Sequence, residues 1–251
     1  MKSKIIDVGP RKQLFIDEKF FECRTNVRLI VQRPMRTQKT FTSCSQALTI
    51  TIQNPPKGDY PNDGVLDIRF AVSRDGVRWK RLDRGSYIGL NPEGTWGSKQ
   101  LYMGVGLVKS PDDREVWMYY VAYDITHQWP LKYRRLGGVV TRARVRLDGF
   151  IAVQSDYAGG EFITPPMKFE GRHLHLNVDT GAIGEVRVGI LDEKGAPIEG
   201  YSIDDCDKIN GNYIDIVVSW RGKKDLSKFI GKVIRLQFAM RDSKLYSFQF
   251  K

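Results

Sequence analysis

An all-β fold is predicted by three features of the 251-residue chain. Apolar and polar residues alternate with period two along its whole length, turn-forming clusters separate the alternating runs, and no long run keeps a 3.6-residue period. Successive side chains of an extended strand point to opposite faces, so strict alternation marks a half-buried strand. Runs spaced by roughly 8–12 residues fit sandwiches, barrels and propellers.

The runs, in order, are "VRLIVQ" (27–32), "ALTITIQ" (47–53), "LDIRFAVS" (66–73), "EVWMYYVAY" (115–123), "HLHLNVD" (173–179), "EVRVGILDE" (185–193), "YIDIVVSW" (213–220) and "KVIRLQFAM" (232–240). Between them stand "NPPKGDYPNDG", "SPDDRE" and "DEKGAP", rich in the residues that tight turns select. Only "DLSKFI" (225–230) suggests a short helical turn. With 41% hydrophobic and 11% aromatic residues the chain can bury a substantial core.

Charge divides the chain near residue 150. Residues 1–150 hold 26 Lys and Arg against 15 Asp and Glu, whereas 151–251 hold 14 of each, so the net charge of +11 sits in the first part. The texture changes at the same place, from aromatic-rich runs with long polar loops to short strands and tight turns. Two domains follow, 1–150 and 151–251, the second with the length and strand count of a jelly-roll or immunoglobulin-like sandwich. In "TRARVRLDGF" the basic residues alternate with apolar ones, which marks the solvated face of a strand rather than a nucleic-acid-binding cluster.

No stretch reaches the roughly 18 apolar residues of a membrane span, and "MKSK" leads into mixed polar sequence, so a soluble chain without a membrane partner is expected. Cys23, Cys44 and Cys206 are too few and too scattered for a disulfide framework and read as reduced thiols.

"VSRDGVRW" (72–79) is the most legible stretch. Asp75-Gly76 is a tight-turn signal, because Gly accepts positive φ and Asp hydrogen-bonds turn amides; Ser73 adds a second such bond, and Trp79 is placed to close over the hairpin base. Ser-x-Asp-Gly-x-x-Trp resembles the shortened aspartate-box hairpin of sialidase-like and other glycosidase β-propellers. "KQLFIDEKFFE" resembles the opening strand of bacterial proteins related to the five-bladed glycosidase families 32 and 43. "NDGVLDIRFAVSRDGVRW", "GTWGSKQLYMGVGL" and "EVWMYYVAYDITH" resemble their closing blades, and "GGEFITPPMKFEG" with "DSKLYSFQF" their C-terminal sandwich. The resemblance implies partial β-propeller blades in 1–150 and a glycan as partner. Two departures stand out. A blade takes roughly 40–50 residues, so five need well over 200, against 140 in residues 11–150. Trp-Asp-Ser-Gly of the family reads Trp96-Gly97-Ser98-Lys99 here, without the carboxylate.

Glycoside hydrolysis needs two carboxyl groups held about 5–9 Å apart. The candidates are Asp67 and Asp63 before the hairpin, Glu93 in "NPEGTW", and Asp124 with His127 after the aromatic run. Asp124 capping a turn through Thr126 is the competing structural role. Tyr102, Gln100, Trp96 and Trp129 are the expected substrate contacts, and Trp117, Tyr119 and Tyr120 read as core, since both faces of 115–123 are bulky. His173 and His175 share one strand face, and "DDCDKINGN" carries oxygen ligands, yet neither matches a metal-site spacing. No GxGxxG, GxxxxGK[ST], HExxH or GxSxG occurs in a supporting context, so no metal or other cofactor is expected. The expected function is a carbohydrate-active, glycoside-hydrolase-like protein whose copies associate to replace missing blades. The alternatives are a non-catalytic glycan-binding or assembly protein and, ranked below it, a polyanion or nucleic-acid binder.

Overall fold

The computed structural model describes residues 4–41, 64–126 and 138–251. Its architecture is all-β, with three sheets, none of them closed. In chain order the strands are β1 (Ile6–Gly9), β2 (Gln13–Leu14), β3 (Cys23–Thr25), β4 (Arg28–Val31), β5 (Met35–Phe41), β6 (Gln100–Met103), β7 (Val108–Lys109), β8 (Glu115–Tyr123) and β9 (Val139–Arg146). They continue as β10 (Ile151–Ser155), β11 (Gly160–Ile163), β12 (Met167–Phe169), β13 (Leu174–Asp179), β14 (Glu185–Asp192), β15 (Asn212–Val217), β16 (Ile234–Arg241) and β17 (Ser243–Phe250). A 3-10 turn, Ser227–Phe229, occupies the predicted helical stretch. The run at 47–53 lies outside the described residues.

The chain forms two compact units, Met1–Val31 with Asp148–Lys251, and Gln32–Leu147. The division at 147/148 falls close to the boundary read from charge, but the first 31 residues, which the sequence reading placed with the basic part, pack with the C-terminal strands. Hydrogen bonding explains why. Each of the four N-terminal strands pairs with a C-terminal one: β1 with β12 in parallel, and β2 with β17, β3 with β11 and β4 with β10 antiparallel.

The first unit thus holds two sheets, one in the order β1-β12-β16-β11-β3 with β14 also on β16, the other β15-β13-β17-β10-β4 with β2 on β17. Both feed one apolar cluster. β16 shows how alternation builds it: Ile234, Leu236, Phe238 and Met240 are buried while the residues between them are partly exposed. From the N-terminal segment Phe15 and Phe20, both fully buried, join Phe162, Phe238 and Phe248 in a run of edge and stacked ring contacts. Trp220, also fully buried, donates its indole N–H to the Val188 carbonyl at 2.7 Å, which satisfies the one polar atom it carries into the core. Cys206 is buried as a small apolar residue, its thiol pushed up to about 11 by desolvation, whereas Cys23 is exposed.

The second unit is built on one antiparallel sheet, β5-β9-β8-β6, with β7 continuing alongside β8. β8 buries Val116, Met118, Tyr120 and Ala122 and leaves the alternate residues half-buried. The expectation that both faces of this run are buried therefore holds for one face only. On the other, Trp117 carries the Arg142 guanidinium 4.1 Å above its ring, and Glu115 pairs with Arg144 at 2.7 Å. The arginines of "TRARVR" face away from the buried Ala143 and Val145, as their alternation requires. The expected strand at 66–73 is reduced to single bridges at Leu66, Ile68 and Val72.

Candidate functional site

The hairpin at 73–79 is held almost entirely by its own residues. Ser73 Oγ accepts the Gly76 amide at 2.9 Å, and Asp75 Oδ1 accepts the amides of Val77 and Arg78 at 3.0 and 2.7 Å. Arg78 Nε donates to Asp75 Oδ2 at 2.8 Å, and Val72 and Lys80 close the base as a backbone bridge. Gly76 takes φ +72°, a conformation its missing Cβ permits. The amide and guanidinium of Arg78, with the Val77 amide, hold the Asp75 carboxyl well below the usual carboxylate range. Trp79 departs from expectation: its indole N–H donates to the Gly76 carbonyl at 3.1 Å, and the ring stays 58% exposed instead of covering the base. The hairpin thus presents no converging unpaired groups and serves as scaffold.

Polar groups gather instead where three chain segments meet beside it. Leu66 N–H donates to the Lys99 carbonyl at 2.9 Å, Leu101 N–H donates to the Leu66 carbonyl at 3.0 Å, and Gln100 stands opposite Tyr123 in the β6–β8 pair. This register sets Leu66, Gln100 and Tyr123 side by side, so that Asp67, one residue on, lies level with Leu101 and Asp124 leaves in the opposite direction, level with Lys99. Asp67, with 12% of its side chain exposed, receives Arg69 Nε at 2.5 Å and the Ser86 hydroxyl. Tyr102 donates its hydroxyl to Gln100 Oε1 at 2.7 Å, and the Gln100 amide donates to the Ile125 carbonyl, which fixes both side chains. Asp124 is half-buried just past β8, and its carboxylate has no hydrogen bond or ion pair among the described residues.

Two other expected residues border this row, since the Gly97 and Lys99 amides both donate to the Tyr123 carbonyl. Glu93 is exposed and paired with Lys99 at 2.7 Å, and Trp96 is 42% exposed with its carbonyl held by the Asn91 side chain at 2.6 Å. His127, Trp129 and Asp63 lie outside the described residues. Sequence reasoning missed Arg69, Ser86 and Tyr87. Arg69 could have been found, since it stands two residues from Asp67 on the same strand face; Ser86, 19 residues away, left no signal. Tyr87, 4% exposed, stacks on Phe70 at 4.7 Å, and burial raises its phenol above the usual range.

Gly97 stands where no side chain fits. Its φ is +81°, and a Cβ would stand 2.9 Å from Leu101 Cδ2 and 3.2 Å from both Ala122 Cβ and Asn91 Nδ2. Gly97→Asp is therefore expected to destabilise the second unit by about 2–4 kcal/mol, from backbone strain and overpacking together. A lowered denaturant midpoint checks this, and an unchanged one refutes it.

The groups weighed for metal binding serve other ends. Asp205 accepts the amide and hydroxyl of Ser202 and pairs with Arg221, Asp207 accepts the Ser219 hydroxyl and the Gly222 amide, and Asn210 donates to the Gly184 carbonyl at 2.6 Å. His175 Nδ1 lies 2.7 Å from Asp215, with its ring 6.4 Å from that of His173. No cluster of three His, Cys, Asp or Glu able to hold a metal occurs among the described residues.

These turn carboxylates predict acid lability. Hydrogen bonds from Ser202 to Asp205, from Ser219 to Asp207 and from Arg172 to Asp225 lower all three, the last to about 2. A carboxyl whose folded pKa lies below its unfolded value stabilises the fold above the unfolded value and ceases to as pH falls through the folded one. Thermal midpoints of the first unit should hold from neutrality to about pH 4 and then decline toward the Asp225 value of about 2. A midpoint that stays level to pH 2 contradicts this.

Comparison of the chain with protein-family models, with curated proteins and with solved structures finds no match. No helix among the described residues is long and apolar enough to cross a membrane.

Proposed function

We propose that the chain is a carbohydrate-active protein of the glycosidase-propeller kind that binds a glycan at the row of Asp67, Gln100, Tyr102 and Asp124. The observation that carries this is the Leu66–Gln100–Tyr123 register, which brings the backbone of an anchored carboxylate, Asp67, and of an unpaired one, Asp124, within one residue of the strands beside the fixed Gln100–Tyr102 pair. Such alternating acceptors and donors match vicinal sugar hydroxyls. The antiparallel β5-β9-β8-β6 order of the five-stranded third sheet and the bonding of the 73–79 turn support its reading as a propeller blade. The common core beneath the two sheets of the first unit supports a β-sandwich.

Hydrolysis is a second reading, favoured by one feature. Asp67 and Asp124 lie on the segments flanking Gln100, two strand spacings across and two residues along the strands or about 12 Å apart at the backbone, so side chains leaning toward each other could approach the separation that acid and base need. Titration with neutral and uronic-acid oligosaccharides, with product analysis, decides between them. Binding that survives Asp124→Asn without product supports a binding protein; turnover lost in that variant supports hydrolysis; no binding by any oligosaccharide refutes both. Met35, Leu107 and Val108 stand 57, 60 and 47% exposed on or beside the sheet of the second unit, which supports association of copies over this unit. Light scattering should then give a mass above 28.8 kDa, and a monomer at micromolar concentration refutes association.

The basic excess fits a polyanion less well. The second unit holds 19 Lys and Arg against 10 Asp and Glu. Yet Arg33, Arg69, Arg78 and Arg144 are each paired with a carboxylate of the same unit.

A further inference from the structure

Residues 74–80, at the tip of the hairpin, are all exposed, the longest such run among the described residues. Val77 is 80% and Trp79 58% exposed, and Leu82, just past the base, is 38% exposed. Apolar side chains scattered singly over a surface are ordinary, but the turn brings two of these together. The Trp79 indole donates to the Gly76 carbonyl at 3.1 Å, and that carbonyl belongs to the peptide bond leading into Val77, so the ring lies beside the Val77 backbone. The same bond satisfies the one polar atom of the ring, which removes the cost of taking it out of water. The charge around this tip is of one sign once its ion pairs are counted. Residues 74–84 hold five Lys and Arg against Asp75 and Asp83. Both carboxylates are taken, Asp75 by Arg78 with the turn amides and Asp83 by Arg33. Lys80 and Arg84 are exposed, and their side chains form no ion pair among the described residues.

We propose that this hairpin docks on an anionic lipid surface, with Val77 and Trp79 in the interfacial layer and Lys80 and Arg84 against the headgroups. Trp favours the boundary between headgroups and acyl chains, and basic residues beside it are drawn to an anionic leaflet. Binding in the plane of a membrane surface adds apolar burial to that attraction, and the tip supplies both at one place. Its shape is fixed before contact by the Ser73 and Asp75 bonds, so little ordering is lost on docking. A nucleic acid, the other extended anionic surface, would meet aliphatic Val77 and Leu82, on which bases do not stack, and an indole N–H already bonded within the turn. The contact is peripheral, needs no spanning segment and is independent of the glycan row.

The test is sedimentation of the full chain with vesicles of phosphatidylcholine, alone or mixed with phosphatidylserine, together with quenching of tryptophan fluorescence by bromine-labelled acyl chains. The expected result is binding to the mixed vesicles that falls several-fold at high salt, with quenching that disappears in Trp79→Ala. Lys80→Gln/Arg84→Gln should weaken binding by about ten- to thirty-fold, since each basic residue at the surface is worth about five-fold. Val77→Ser should weaken it by about three- to ten-fold. That variant keeps every bond that shapes the turn, because Val77 contributes its amide and not its side chain. A loss of binding at an unchanged thermal midpoint therefore reports docking and not folding. The proposal is overturned if the chain stays in the supernatant with the mixed vesicles, if it binds both kinds of vesicle equally, or if quenching persists in Trp79→Ala. Tighter binding to a single-stranded oligonucleotide than to the mixed vesicles, weakened in Lys80→Gln/Arg84→Gln, overturns it in favour of nucleic acid.

Discussion

Phe15→Ala is expected to destabilise the first unit by about 3–5 kcal/mol, the usual cost of emptying a fully buried aromatic site. Phe15 has no exposed surface, and its ring stands 5.8 Å from Phe20, 5.7 Å from Phe162 and 5.7 Å from Phe248. The last two belong to β11 and β17, one from each sheet, so the ring closes a gap that neither sheet fills alone. The surrounding phenyl rings are constrained by their own edge contacts, and the vacated volume cannot collapse cheaply. Hydrogen exchange followed by peptide mass spectrometry checks the result and locates it. Protection should fall in β11, β16 and β17 and stay unchanged in β8, which belongs to the other unit. Equal loss in β8, or no loss anywhere, would show that the N-terminal segment is not part of the first core.

That segment also marks the limit of what the sequence discloses. β8, β13, β14 and β16 are legible because alternation is a property of consecutive residues, and the pattern fixes which of them face inward. β1, β2 and β3 have only two to four residues each, too few to alternate, and they are strands because partners such as Met167 and Phe248 lie more than 140 residues away in the chain. Pairing of that kind leaves no local trace. The 66–73 run errs in the other direction: its alternation is clean, but only Leu66, Ile68 and Val72 find backbone partners, so ladder hydrogen bonds do not accumulate.

The site divides along the same line. The 73–79 hairpin was readable because every side-chain bond that shapes it spans two or three residues, and Gly76 and Asp75 are the types such a turn demands. Asp67 could be picked out as a carboxylate near the hairpin, but its coupling to Ser86 and its place beside Gln100 depend on how three segments cross. Trp79 shows the converse, a residue whose type suggested burial and whose ring remains at the surface, because its indole N–H already has a partner within the turn.

Asp67→Asn should weaken glycan binding by about ten- to a hundred-fold, the worth of one charge-assisted hydrogen bond in a sheltered site. Asn keeps the shape and one acceptor for Arg69 Nε, now 2.5 Å from Asp67 Oδ1, but removes the negative charge that sugar hydroxyls would meet. Arg69 has 20% of its side chain exposed, so it can recover part of its hydration, and the Asn variant should lose only about 1–2 kcal/mol of stability. Asp67→Ala strands both Arg69 and the Ser86 hydroxyl and should cost more, about 3 kcal/mol. The contrast separates function from fold. If binding tracks the charge, both variants lose affinity alike while their denaturant midpoints differ. If Asp67 only braces the 66–86 segment, the Asn variant should bind a glycan nearly as the parent does, and the loss should appear in the Ala variant alone. That outcome would move the contact surface away from Asp67 and leave the unpaired carboxylate of Asp124 as the acceptor on which the row depends.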